Sequence, residues 1–171
     1  MIAILDVDYR ENDTAVAACV TAHGFGDTAP VGEYTVQVSN VGAYVPGQFY
    51  RRELPCLLAV LATLPAPPTV CVVDGYVWLG DTDTPGLGAH LFTALNENKA
   101  GSVAVVGVAK TLFPGAEPMA EVRRGGATRP LYVSAAGMPL SDAAEAVRTM
   151  HGAFRLPTLI KRTDTLCRGA V

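Results

Sequence analysis

Three carboxylates stand where an apolar fold would not place a charge idly. Asp6 lies in the middle of the apolar run IAILDVDY (2–9). Asp74 closes the run TVCVVDG (69–75), and Glu53 falls in the first turn of an amphipathic segment that starts at residue 50. A buried carboxylate is costly unless it is paired or bound to a metal. If the two runs are neighbouring strands, Asp6 and Asp74 face one another. Hard oxygen ligands clustered in this way suit Mg²⁺ or Mn²⁺, and a divalent cation removes the repulsion between like charges. Each acid alone also reads as an ordinary strand-end or first-turn carboxylate. The metal reading rests on all three converging under one topology.

The elements that must position these acids follow from periodicity. Strands are expected over 2–9, 14–23 and 33–40, with the turn chemistry of ENDT (11–14) joining the first two as a hairpin. VGAYVPGQ (41–48) is a Gly/Pro loop. Leu54, Leu57, Leu58 and Leu61 recur at helical spacing in 50–64, and PAPP (65–68) stops that helix. A buried strand over 69–75, a helix over 86–98 and a second buried strand over 102–110 come next. Residues 111–130 read as a loop rich in Gly, Pro and Arg. A short strand covers 130–137, Ser141 is the expected N-cap of a helix over 142–152, and 155–169 is a helical tail. Early hairpins followed by β-α-β crossovers imply an α/β fold, with one mixed sheet flanked by helices.

Composition sets outer bounds. The 171 residues make one domain, 1–171, long enough to bury a real core. Half of the residues are hydrophobic and 17% are charged, which excludes a disordered chain. The apolar runs are short and punctuated, so no membrane span is expected. The start MIAILDVDYR lacks a basic leader, and Cys19, Cys56, Cys71 and Cys167 show no ligand or disulfide spacing, which together point to a reducing cytoplasm. Mean hydropathy is +0.28, high enough for an apolar surface patch and a homodimer to be considered. The net charge of −3 is uneven. Residues 1–120 carry five basic and twelve acidic side chains, and 121–171 carry eight basic and four acidic. That split is either a chance arrangement of solvated faces or an acidic site beside a basic flank, as in metal-dependent enzymes acting on polyanions.

The segments LDVDYR (5–10), YVPGQFYRRE (44–53), VVDG (72–75), GVAK (107–110) and FRLP…TD (154–164) resemble the endonuclease V family in order and spacing, over nearly the whole chain. The resemblance implies a ribonuclease H-like fold and a Mg²⁺- or Mn²⁺-dependent cut in nucleic acid near deaminated adenine. It assigns Asp6, Glu53 and Asp74 to the metal cluster, and Lys110 to the stabilisation of charge developing on the phosphate. Lys110 also reads as an exposed strand-end lysine. Tyr44, with Pro46 and Gly47, falls on the loop that pries the altered base from its stack. An aromatic there replaces lost stacking, or simply packs on the core. Gly75 is a candidate for close approach of backbone to the base. Arg123, Arg124 and Arg129, with Lys161 and Arg162, are candidate backbone grips.

The chain departs from the family pattern after VDG. The family's H-G-x-x-H-P-R-R-x-G is replaced by YVWLGDTDTPGLG (76–88), where Asp81 and Asp83 add negative charge and Trp78 reads as a base-stacking group or a loop anchor. Met138 stands at the family's late histidine. Asp142, at the start of the next helix, is either a replacement metal ligand or a first-turn aspartate. His90 reads as a packing histidine rather than a ligand. Three functions remain open: a metal-dependent endonuclease, a catalytically weakened nucleic-acid-binding module of the same fold, and an enzyme acting on free nucleotides.

Overall fold

The computed structural model describes residues 1–42, 48–80, 84–97 and 102–169. Strands β1 (Ile2–Tyr9), β2 (Ala15–Ala22) and β3 (Gly32–Val38) precede α1 (Tyr50–Leu61), β4 (Val70–Val73) and α2 (Leu87–Asn96). Then come β5 (Ala104–Ala109), β6 (Ala120–Val122), β7 (Leu131–Ala136), α3 (Leu140–Thr149) and α4 (Thr158–Gly169). The seven strands form one sheet in the order β3-β2-β1-β4-β5-β7-β6. β1, β4 and β5 are mutually parallel, and every other pairing is antiparallel.

Parallel strands need cover on both faces, and their continuous apolar runs provide it. Odd-numbered residues of β1 and β4, such as Leu5 and Val73, pack with Leu57 and Val60 of α1 and Leu91 of α2. Even-numbered residues, Ile4, Val72 and Val108 among them, pack with Val147 of α3 and Leu159 of α4. Because side chains alternate along a strand, this parity directs Asp6, Asp74 and Lys110 to the α4 face at the C-terminal ends of three adjacent parallel strands. The edge strand β3 alternates intermediate and exposed residues, as an edge open to water on one side should.

Expectation and structure part in two places. The expected 111–130 loop contains β6, a three-residue strand that pairs with β7 and was too short to leave a periodic signal. Ser141 does not cap α3. Pro139 stands at the N-cap, and the Ser141 hydroxyl donates instead to Asp142 Oδ1 at 3.1 Å. Among the described residues no helix is long and apolar enough to cross a membrane.

Candidate active site

β1 and β4 are in register from Ile2↔Val70 to Leu5↔Val73, so the next residues, Asp6 and Asp74, leave neighbouring strands side by side. Asp6 Oδ1 accepts the Val7 N–H at 2.9 Å. Asp74 Oδ2 accepts from the Lys110 ammonium at 2.6 Å, both side chains being about one-third exposed. Glu53 comes from the opposite face of the sheet. α1 turns it inward at 5% exposure, and its Oε2 is buried with no hydrogen-bond partner among the described residues.

The fourth acid is Asp164. α4 is fastened over the β1-β2-β3 side of the sheet by three contacts. The Cys167 thiol donates to the Val16 carbonyl at 2.8 Å, the Arg10 guanidinium donates to the Cys167 and Arg168 carbonyls, and Arg162 grips Glu33 through two bonds at 2.6 and 2.7 Å. So held, α4 brings Asp164, itself paired with Arg168 at 3.0 Å, to the same small cleft as Asp6, Asp74 and Lys110. That cleft measures about 10 Å³, roughly the room of one water.

The acids repel one another. Burial raises Asp6 to about 6, with Asp74 adding to the rise and the Val7 N–H and Lys110 opposing it. Burial also raises Glu53 to about 8, reinforced by the charges of Asp6 and Asp74. Burial by itself would lower Lys110, but the Asp74 hydrogen bond and the charges of Asp74, Asp6 and Asp164 outweigh it and raise the ammonium. Around Glu53, the Arg52 guanidinium lies 3.9 Å from the centroid of the Tyr9 ring rather than on a carboxylate.

The donor chemistry fits a hard divalent cation. All four groups are carboxylates, one oxygen is orphaned, and burial together with mutual repulsion opposes ionisation of Asp6 and Glu53. As the side chains stand, no group of three or more His, Cys, Asp or Glu among the described residues is close enough to hold an ion, and the Lys110 ammonium occupies Asp74.

Beyond Asp74 the chain turns at Gly75, whose φ of +136° strains any side chain, and opens a second hollow of about 320 Å³. Tyr50, Gly75, Tyr76, Gly86 and Phe113 line it, and so does Asp74, which borders both hollows. The 75–78 segment is pressed onto the sheet. A Cβ on Gly107 would stand 2.5 Å from the Gly75 carbonyl, Val77 N–H donates to Ser134 Oγ at 2.9 Å, and Trp78 Nε1 donates to the Ala135 carbonyl at 3.3 Å. Trp78 is therefore a loop anchor. His90 stacks on Tyr50 with centroids 3.5 Å apart, as a packing histidine does, and burial lowers its pKa.

Other expected residues are placed differently. Asp142 is a correction. β7 runs antiparallel to β5, and Ala136 pairs with Val105, so α3 begins near the far end of β5 from Lys110, about 15 Å of strand away. Asp142 is exposed in the first turn there and, among the described residues, accepts from the neighbouring Ser141 hydroxyl. The acid that a helix does bring is Asp164. Its sole sequence signal was the Thr-Asp at the end of the FRLP…TD segment, to which no role had been attached. Arg124 is consumed by the fold, donating to the Met150 carbonyl and to the Gly152 carbonyl at 3.0 Å. Arg123 pairs with Glu121 at 3.1 Å on the edge strand, Arg162 is committed to Glu33, and Lys161 sits 5.8 Å from the Phe154 ring. Tyr44, Pro46 and Gly47 lie outside the described residues, as do Asp81 and Asp83.

The model of the endonuclease V family matches residues 1–126. Endonuclease V of Streptomyces coelicolor is 32% identical over 187 aligned positions, which cover 98% of this chain and 77% of that protein. The crystal structure of endonuclease V from Streptomyces avermitilis superposes with a TM-score of 0.76 at 30% identity, over 98% of this chain and 79% of that one. Endonuclease V of Ciona intestinalis, in complex with a 24mer DNA containing an inosine followed by a ribo-adenosine, superposes with a TM-score of 0.79 at 20% identity. It covers 98% of this chain and 84% of its own, a likeness of fold. The fold is ribonuclease H-like, as the family resemblance implied. With its acids gathered at the ends of β1 and β4 and its likeness running end to end, the chain belongs to the endonuclease V family.

Proposed function

We propose that the protein is a metal-dependent endonuclease that hydrolyses a phosphodiester of DNA or RNA close to a hypoxanthine base. The observation that carries this reading is the position of Asp74, which borders both the acid cleft and the 320 Å³ hollow. A group of charged oxygens and a base-sized cavity thus share a wall, as cutting beside an extruded base requires.

Asp6, Glu53, Asp74 and Asp164 would hold Mg²⁺ or Mn²⁺, which when bound supplies Lewis acidity and neutralises their mutual repulsion. Burial and the Asp74 charge hold the Asp6 carboxyl up near 6, so the ionised pair gains most from a bound cation. Lys110 carries a positive charge throughout and stabilises the extra negative charge that the phosphate oxygens gain at the transition state. Tyr50, Tyr76 and Phe113 line the hollow with aromatic side chains against which an extruded base would pack, and the bare backbone of Gly75 leaves its edge room to approach. The loop with Tyr44 precedes α1 in the chain and is the wedge this reading requires.

A second reading, binding without turnover, draws on the Lys110 ammonium already seated on Asp74. One experiment separates the two. End-labelled single- and double-stranded DNA and RNA, each with one hypoxanthine, are incubated with Mg²⁺ or Mn²⁺ and wild-type, Asp6→Asn or Asp74→Asn protein. Cutting near the hypoxanthine that disappears in both variants is the expected result. Binding by pure wild-type protein with no cutting in either metal leaves the second reading in its place.

A further inference from the structure

A third hollow, of about 250 Å³, opens on the other side of Lys110. Its walls include Lys110, Thr111, Leu112, Arg129, Tyr132 and Arg155, and no acid. We propose that this hollow is a subsite for a backbone phosphate of the bound nucleic acid, next to the one that is cut. The inference rests on the endonuclease reading and adds to it the place where the chain beyond the scissile bond is held.

The two arginines differ in a useful way. Arg155 is locked: its guanidinium donates to the carbonyl of Lys110 and, at 2.7 Å, to that of Pro130, while its Nε is buried without a partner among the described residues. It therefore brings fixed positive charge whose ordering cost was met in folding. Arg129 is exposed, and among the described residues it makes no ion pair. Arg10, Arg123, Arg148, Arg162 and Arg168, by contrast, are each paired with a carboxylate. An exposed guanidinium with no ion pair among the described residues, a fixed one, and the Thr111 and Tyr132 side chains in the same wall match the donor set of a tetrahedral phosphate.

Its position makes that phosphate a neighbour of the reaction. The Tyr76 hydroxyl pins the turn after Lys110, donating to the Thr111 carbonyl at 2.9 Å and accepting the Phe113 N–H at 3.1 Å. In that one turn Phe113 faces the base-sized hollow and Leu112 borders the basic one. A strand with its base in the first and its next phosphate in the second would pass over Lys110.

The test uses the full chain and a short single-stranded oligonucleotide with one hypoxanthine, in metal-free buffer so that nothing is cut. One phosphate at a time is replaced by a neutral methylphosphonate, and affinity is read by fluorescence anisotropy for wild type, Arg129→Gln and Arg129→Lys. Arg155 is left in place because it holds two carbonyls of the fold. Arg129→Gln is expected to weaken binding about fivefold and to lower the slope of log affinity against log salt by about one. Arg129→Lys should recover part of the loss. The decisive result is one methylphosphonate position that costs wild type affinity and costs Arg129→Gln nothing further, while Arg123→Gln leaves every position unchanged. If every position costs wild type and Arg129→Gln the same, the subsite is wrong and the endonuclease reading survives. If inorganic phosphate titrates the Arg129 side chain but no position couples to it, the hollow takes free phosphate and the backbone assignment falls. If wild type binds no oligonucleotide here and neither binds nor cuts it with Mg²⁺ or Mn²⁺ present, both readings fall together.

Discussion

The two hollows that meet at Asp74 are built in opposite ways. The acid cleft has room for about one water, and its walls are strand ends and one helix: β1, β4, β5 and α4. The larger hollow has about 320 Å³, and most of its wall is connecting chain: residues 75–79, 85–87 and the turn at Phe113. Where ladders and packed helices fix the side chains, burial can hold carboxylates close enough to shift one another. Where loops make the wall, the space is wide and ring-lined. Chemistry is thus assigned to the rigid part and recognition to the adaptable part, the usual division between scaffold and loops.

The sharpest way to break this division is at the acids. Asp6→Asn and Asp74→Asn are each expected to lower cleavage by about a thousandfold or more while leaving oligonucleotide affinity within about threefold, since they remove transition-state rather than ground-state interactions. Asp164→Asn is expected to cost about a hundredfold, and Asp142→Asn, at the far end of the sheet, less than about twofold. Single-turnover rates on one labelled substrate check all four. Equal losses at 142 and 164 would overturn the placement of α4 over the site.

A second expected effect lies at the seam between the hollows. Gly107→Ala puts a Cβ 2.5 Å from the Gly75 carbonyl, 2.8 Å from Ser134 Oγ and 3.0 Å from Val77 N. Two of these are backbone atoms and the third is a buried hydroxyl, so the 75–78 segment must lift. A loss of about 2–3 kcal/mol is expected from overpacking, or roughly 4–12 °C in Tm for a chain of this size. Gly24→Ala, with nothing within 4 Å of the new carbon, should stay within about 0.5 kcal/mol. Thermal unfolding of the two variants is the measurement.

Much of the acid cleft was legible in the sequence because strand parity and strand ends are legible. Asp6 inside IAILDVDY and Asp74 after TVCVV announced adjacent buried strands, and the register delivered them side by side. Asp164 escaped because a helical position carries no mark of what it will cross; only the docking of α4 through Arg10, Arg162 and Cys167 decides that. The assignment of Asp142 failed for the same reason in reverse. Its helix was read correctly, but the antiparallel course of β7 carries it away from the site. Arginines were the least legible of all, since composition cannot tell Arg124, spent on backbone carbonyls, from Arg129.

The raised carboxyls give a third expectation, in pH. Glu53 titrates near 8 in the folded protein against 4.5 when unfolded, and Asp6 near 6 against 3.8. Between these limits the folded state binds more protons than the unfolded one, so stability falls as pH rises. Below about 6.5 the lowered His90 works the other way, because the unfolded imidazole gains the proton more readily. The window is therefore pH 6.5 to 8.5, with the buried thiols, also raised, adding to the fall at its upper end. In a chelator, Tm is expected to fall across it by roughly 2–8 °C, the equivalent of about 1–2 kcal/mol. Mg²⁺ should raise Tm most at pH 8.5, where Asp6 and Glu53 are ionised, and little at pH 6.5. A flat profile in chelator would show that the carboxyls are not raised, and a Mg²⁺ effect that does not grow with pH would show that they do not share a cation.

The smallest effect falls on the recognition side, at Phe113. Its ring is nearly half exposed and packs at 6.3 Å against Tyr76, so it is available to a base without being part of the core. Phe113→Ala removes the ring but keeps the backbone N–H that the Tyr76 hydroxyl accepts, so the turn bearing Lys110 stays where it is. Loss of one stacking face is worth about 1 kcal/mol, or roughly fivefold. The variant should therefore lose about fivefold in kcat/KM on a hypoxanthine substrate, nearly all of it in KM, with kcat within about twofold. Affinity for the same oligonucleotide carrying adenine should change less, because an unextruded base never reaches the ring. A loss in kcat instead would mean that Phe113 acts through Lys110, and the hollow and the cleft would then be one site rather than two neighbours.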